Sequence, residues 1–134
     1  MSGPAFRPHP EREAPAAGRP GPLPVARGVL LSARPRQWTK NLLVVAAPAL
    51  AGELASPPVA VGTLLTFALF CVAASGTYLL NDVADAAADR AHARKRHRPV
   101  ASGLVPAPLA AGLGTLLAAA APLGALAAGD RKSV

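Results

Sequence analysis

One cysteine, one tryptophan, one tyrosine and three phenylalanines are all that 134 residues contain of those types. Cys71 stands alone in an apolar run, so no internal disulfide can form and no cysteine-based metal site can be built. It reads as a buried packing residue. Hydrophobic residues reach 51% while aromatics stop at 4%, leaving Ala, Leu and Val, with Gly and Pro, to dominate the chain. That balance leans away from an ordinary soluble core, and the length allows one small domain at most.

Acid is scarce as well: 7 Asp and Glu face 14 Lys and Arg, for a net charge of +7. Such an excess can serve nucleic-acid binding. Here the basic residues lack interleaved aromatics, so no nucleic-acid partner is expected. Their placement is uneven instead. Seven lie in residues 1–40, five between Arg90 and Arg98, and the last two are Arg131 and Lys132. The gaps between these clusters have the layout of membrane spans and their flanks.

Residues 57–80 are 24 positions without a charge, and residues 101–129 are 29. Each exceeds the roughly 20 residues that cross a bilayer core. A weaker apolar run from Leu42 is interrupted by Glu53 and Pro57-Pro58; a short amphipathic surface helix is its alternative. The expected spans are about 40–56, 59–80 and 106–128. For the second and third, a buried helical hairpin in a larger soluble protein is the competing reading. Pro106 and Pro108 suit the first turn of the third helix, where no amide partner is lost, and Pro122 is a candidate kink. The Ala, Leu and Gly of that span suit close helix packing and leave a homo-oligomer open. The fold class expected is all-α, an integral membrane helical bundle.

Residues 1–28 hold seven prolines and no apolar core of a signal peptide. With its surroundings this segment is expected to be a disordered cytoplasmic tail over residues 1–33, with the membrane domain over 34–134. Trp38, Arg36 and Lys40 suit a membrane interface. The connection near Glu53 to Pro58 has no Lys or Arg, so the positive-inside rule puts the N-terminus and the 81–103 loop in the cytoplasm of a multi-pass plasma-membrane protein. Arg131 and Lys132 run mildly against that orientation.

The second span leads into Tyr78-Leu-Leu-Asn-Asp-Val-Ala-Asp-Ala-Ala-Ala-Asp. At about 100° per residue, Asn81, Asp82, Asp85 and Asp89 fall within an arc of about 100°, with Tyr78 inside it. Ala86, Ala87 and Ala88 favour the helix. Carboxylates at a membrane boundary are costly and need a partner. A hard divalent cation such as Mg2+ takes few protein carboxylates and completes its shell with water and substrate phosphates. The pattern therefore points to a diphosphate substrate, with Asn81, Asp82, Asp85 and Asp89 as metal candidates. A solvated helix end is the bland alternative.

Arg90, Arg94, Lys95, Arg96 and Arg98 follow at once, with His92 and His97 among them. Arginine suits bidentate phosphate contact, although any cytoplasmic loop gathers basic residues. The two histidines read as polar loop residues. Lys40 and Arg36 start the first span on the same side and can serve the phosphate or anchor the interface.

Asn81-Asp82-x-x-Asp85-x-x-x-Asp89 resembles the first aspartate-rich motif of the UbiA superfamily of intramembrane prenyltransferases. Arg34-Pro-Arg-Gln-Trp-Thr-Lys-Asn, and Asp89-Arg90-x-His92-x-x-Lys95-Arg96-x-Arg98-Pro99-Val100-Ala101-Ser102-Gly103, look like the branch that moves 5-phosphoribose. That branch carries it from phosphoribosyl pyrophosphate to a polyprenyl (decaprenyl) phosphate, towards cell-wall arabinan. The resemblance covers about residues 34–128 and implies a nine-helix fold of which three helices are present. It also implies Mg2+ at Asn81, Asp82, Asp85 and Asp89, with Asp82 and Asp85 catalytic, and substrate contacts from Lys40, Tyr78, Asn81, Arg96 and Arg98. Family members carry a second acidic motif in later helices; this chain stops at Asp130-Arg-Lys-Ser-Val, so it is expected to be an N-terminal part, inactive alone. Two other functions compete. One is prenylation of an aromatic acceptor, a quinone or haem precursor. The other is a small non-enzymatic membrane protein with a cation-binding loop.

Overall fold

The computed structural model describes residues 18–130, and among them every regular element is helical. Helix α1 spans Pro22–Ala33. The tail expected to be disordered through residue 33 is thus helical from Pro22 onward, while residues 1–17 of that expectation, and Arg131 and Lys132, lie outside the described residues. Pro22 and Pro24 sit in the first turn, where a missing amide costs nothing. What holds α1 is distant in sequence. Gly28 is buried, and a Cβ there would stand 2.7 Å from Val105 Cγ2 and 3.2 Å from Pro99 Cβ. A tail's composition gives no sign of a docking partner that arrives more than 70 residues later.

Proline also ends α1. The residue before a proline is pushed out of the right-handed helical region, and Arg34, before Pro35, turns left-handed with φ 54° and ψ 64°. Its N–H still donates to the Leu31 carbonyl at 3.2 Å.

The expected first span divides into pieces. Pro35–Leu42 winds as a 3-10 helix, Leu43–Leu50 forms α2, and Glu53–Ala55 is a further 3-10 turn. Eight residues make α2 about 12 Å long, well short of a hydrocarbon core of roughly 30 Å. Pro48 inside it and Gly52 after it, at φ +70°, are the local causes. Of three expected spans, two of the described helices are long and apolar enough to cross a membrane.

Those two are α3, Pro57–Ala91, and α4, Ala107–Asp130. The apolar span and the acidic stretch are one unbroken helix of 35 residues. Its charge-free part alone measures about 36 Å, so Asn81–Ala91 extends past a hydrocarbon core. Leu64, Leu116, Leu123 and Leu126 remain 64–68% exposed, as suits lipid or further helices.

α3 and α4 run antiparallel and cross where neither has a side chain in the way. A Cβ on Gly76 would lie 2.5 Å from the Ala118 nitrogen and 2.6 Å from the Gly114 carbonyl oxygen. Both obstacles are backbone, so relief requires the helices to separate. Gly76→Ala is expected to cost about 1–3 kcal/mol and to lower the thermal midpoint in detergent, as read by circular dichroism. Gly112→Ala, with nothing within 4 Å of its Cβ position, is the matched control and should be neutral or slightly stabilising.

Below that crossing, Leu79 and Ala86 of α3 meet Val100, Val105 and Ala110 in a cluster of buried side chains. The 92–106 loop is therefore packed down on α3 and α1, which brings its basic residues back to the acidic turn.

Candidate active site on the acidic end of α3

The arc of acidic residues divides by burial. Asp82 and Asp89, seven residues apart and on one edge of the arc, are 3% and 4% exposed. Asn81 and Asp85, four apart on the other edge, are exposed. The buried edge continues the stripe of Cys71, Ser75, Leu79 and Ala86 that faces the rest of the bundle.

Each buried carboxylate meets an arginine from another segment. Arg34 Nη2 donates to Asp82 Oδ1 at 2.9 Å. Arg98 Nη1 donates to Asp89 Oδ2 at 3.1 Å and stands 3.9 Å from Asp82 Oδ1. Arg98 therefore sits between the two acids. The Arg34 guanidinium also lies over the Tyr78 ring, 4.8 Å from its centre, so a cation–π contact flanks the ion pair. A buried carboxylate without a partner is strongly destabilising, and these contacts supply the partners. No cation on α3 itself precedes Arg90; tertiary packing provides the arginines.

Other contacts fix the surroundings. Arg90 Nε donates to the Ala101 carbonyl at 3.1 Å, tying α3 to the loop. His92 Nδ1 accepts from the Arg94 and Lys95 amides at 3.2 and 3.3 Å, a loop-shaping role. Trp38 is the only tryptophan of the chain. Its Nε1–H donates to Ser75 Oγ at 3.0 Å, and Ser75 donates to the Cys71 carbonyl at 2.8 Å. Asn41 Nδ2 contacts Cys71 Sγ at 3.5 Å. The 3-10 segment is thus clamped along α3 just above the acidic turn, and Cys71 is buried as expected of a packing residue.

Of the residues singled out in the sequence, the structure brings Tyr78, Asp82, Asp89 and Arg98 together. Asp85 and Asn81 border them on the solvent side. Lys40 and Arg96 are exposed and make no ion pair among the described residues. Arg34 is a residue of the site that the sequence does not mark as one: it opens the Arg34–Asn41 motif, but its partner is 48 positions away.

Among the described residues no three His, Cys, Asp or Glu side chains converge as a ready-made metal cage. The donor set still fits a hard cation that keeps most of its shell for water and substrate. All the available donors are oxygens, and Asp85 and Asn81 have no side-chain hydrogen-bond partner among the described residues.

Two grooves accompany the site. One, of about 480 Å³, runs beside Ala33, Trp38, Phe67, Cys71, Ser75 and Leu117 and starts next to Arg34. The larger, of about 810 Å³, lies between the opposite ends of α3 and α4, near Leu65, Phe70 and Pro122, and no ionisable side chain lines it. The ionisable side chains gather at the acidic end, not at the larger groove.

Comparison with known proteins follows the same line. Residues 42–131 match the UbiA prenyltransferase family. Decaprenyl-phosphate phosphoribosyltransferase of Mycolicibacterium smegmatis is 48% identical over 114 residues, covering 82% of this chain and 35% of that protein. The enzyme of the same name from Corynebacterium glutamicum is 42% identical over 103 residues, 75% of this chain and 31% of that one. The Mycobacterium tuberculosis enzyme of that name is 48% identical over 89 residues, 63% and 30% respectively. The chain spans about a third of the length of these curated relatives.

Proposed function

The chain belongs to the UbiA prenyltransferase family, and from that membership we propose that the acidic end of α3 receives 5-phosphoribosyl pyrophosphate for transfer of phosphoribose to a polyprenyl phosphate. The observation that carries this reading is the meeting of carboxylates and guanidinium groups at the end of a charge-free membrane helix: Asp82 and Asp89 with Arg34 and Arg98, beside exposed Asp85 and Asn81. Carboxylates alone suit a cation, and guanidinium groups alone suit a phosphate. Both together suit a metal-bound diphosphate. All three relatives are named as phosphoribosyltransferases, which favours phosphoribose as the transferred group.

UbiA-family enzymes generally use a divalent metal; in this chain it would be Mg2+, and Asp82, Asp85, Asn81 and Asp89 would hold it. When bound, it neutralises charge on the departing pyrophosphate. Asp82 and Asp85 are the catalytic carboxylates in that sense. Arg98, Arg96 and Lys40 contact phosphate oxygens, and Tyr78 and Asn81 border the sugar. The lipid phosphate is itself the nucleophile, so the protein's task is to position two anions and stabilise the charge that develops. The groove beside Trp38 and Phe67 would carry the start of the isoprenoid chain. The acidic turn lies on the cytoplasmic side of the plasma membrane, where the basic 90–98 segment belongs.

Prenylation of an aromatic acceptor rests on the same acidic face and is separated by the donor. Equilibrium dialysis of the chain in detergent with Mg2+ should retain labelled 5-phosphoribosyl pyrophosphate, and a short prenyl diphosphate should displace it weakly. Retention of the prenyl diphosphate instead would move the assignment to that second reaction. Retention of neither would reject a diphosphate site.

A further inference from the structure

Arg34 combines two features that seldom occur together by accident. Its backbone is left-handed, a conformation that costs a non-glycine residue about 1–2 kcal/mol, at a helix end where glycine is the usual solution. Its side chain closes on a carboxylate that is 3% exposed, and lies over the ring of Tyr78. A glycine would end α1 with less strain; an arginine is present, and the guanidinium is what it adds. The guanidinium is itself 34% exposed, so it can leave the carboxylate without first breaking the core. Pro35 on one side and the Trp38–Ser75 hydrogen bond on the other fix where the chain runs, so the long side chain is the part free to swing.

We propose that Arg34 is a displaceable counter-ion for Asp82, exchanging with the divalent cation. Arg34 holds Asp82 Oδ1 at 2.9 Å, so a cation that coordinates Asp82 either takes that oxygen from the guanidinium or binds the other oxygen of the same carboxylate beside it. In either position the two positive charges repel at close range, so the guanidinium is driven off the carboxylate as the metal enters. It is then delivered, still tethered beside Tyr78, to the side from which an anionic substrate approaches. The bare metal is thereby held weakly, and metal with diphosphate is held together. Arg34 acts here as a positioning residue. The inference rests on the reading of the α3 face as a divalent-cation site.

The test uses Mn2+ in place of Mg2+, with free Mn2+ measured by electron paramagnetic resonance on the whole chain in detergent and no phosphate present. Arg34→Gly removes the guanidinium at a backbone position glycine prefers, and Arg34→Asn does so with a second residue that tolerates that conformation. Arg27→Gln removes a like charge from α1, where Arg27 is exposed and forms no ion pair among the described residues. Both Arg34 variants should bind Mn2+ about tenfold more tightly than the parent, since close unit charges in partly solvated surroundings interact by at least that much. Arg27→Gln should change it less than about twofold, as screening at that range requires. Unchanged or weaker binding in both Arg34 variants, or an equal gain in Arg27→Gln, would overturn the exchange while leaving the cation site in place. No Mn2+ binding by the parent or any variant would overturn the cation site and the exchange with it.

Discussion

Asp82→Asn should weaken Mn2+ binding to the chain about a hundredfold or more, the largest effect expected of any single change. Loss of a residue that only supports a metal ligand commonly costs 10–100-fold, and a ligand's own charge is worth at least the upper end of that range. Asparagine keeps the shape of a side chain that is 3% exposed, so packing against Leu79 and Ala86 survives. Arg34, a third exposed, can turn to water. The change therefore separates binding from folding: circular dichroism should be close to that of the parent while Mn2+ binding collapses. Asp85→Asn, on the solvent-facing edge, should leave folding wholly untouched and also weaken Mn2+. The two variants together distinguish a ligand set from a structural ion pair. Were Asp82 only a partner for arginine, neither variant would change Mn2+ binding.

Arg98→Ala should release the 92–106 loop. Arg98 is the partner of Asp89 at 3.1 Å and approaches Asp82 at 3.9 Å. Its removal leaves the Asp89 carboxylate buried with no partner among the described residues. Loss of a charged hydrogen-bond partner by a buried group costs roughly 2–3 kcal/mol, tempered here by the partial exposure of Arg98. Val100 and Val105, 2% and 0% exposed, must leave the core for the loop to open, which keeps the parent closed. Limited trypsin digestion at Arg94, Lys95 and Arg96 reads this opening directly. Cleavage in Arg98→Ala is expected about tenfold or more faster than in the parent, in line with that cost where opening is a rapid pre-equilibrium. Equal rates would mean that the apolar residues and the Arg90–Ala101 hydrogen bond hold the loop without Arg98.

Much of this arrangement was legible in the sequence, for identifiable reasons. The two long helices announce themselves because a charge-free run of 24 or more residues has few other uses. The continuation of α3 through its acidic turn follows from Ala86, Ala87 and Ala88, which leave the helix nothing to break on. The four polar positions of the acidic motif share a face because helical spacing is local arithmetic. What local arithmetic cannot give is a partner. α1 lies in a proline-rich segment, and it is held by Val105, Leu104 and Pro99 across most of the chain. The ion pair of Arg34 with Asp82 depends on the same distant docking, and on an unusual backbone that no arginine signals in advance. The first expected span came out differently. Apolar composition was present, but Pro48, Gly52 and Pro57 divide it between a 3-10 segment and short helices, and it is not among the two described helices long and apolar enough to cross a membrane. Burial likewise divided the acidic face in a way helical spacing does not, turning Asp82 and Asp89 towards arginine and leaving Asp85 and Asn81 towards solvent.

The acidic end of α3 as the seat of a metal-bound diphosphate is tested most directly by calorimetric titration of the chain with 5-phosphoribosyl pyrophosphate, with and without Mg2+, in the parent and in Asp82→Asn. The expected result is binding that requires Mg2+ and disappears in Asp82→Asn. Binding of equal strength in the absence of Mg2+, or binding that survives Asp82→Asn unchanged, would contradict it.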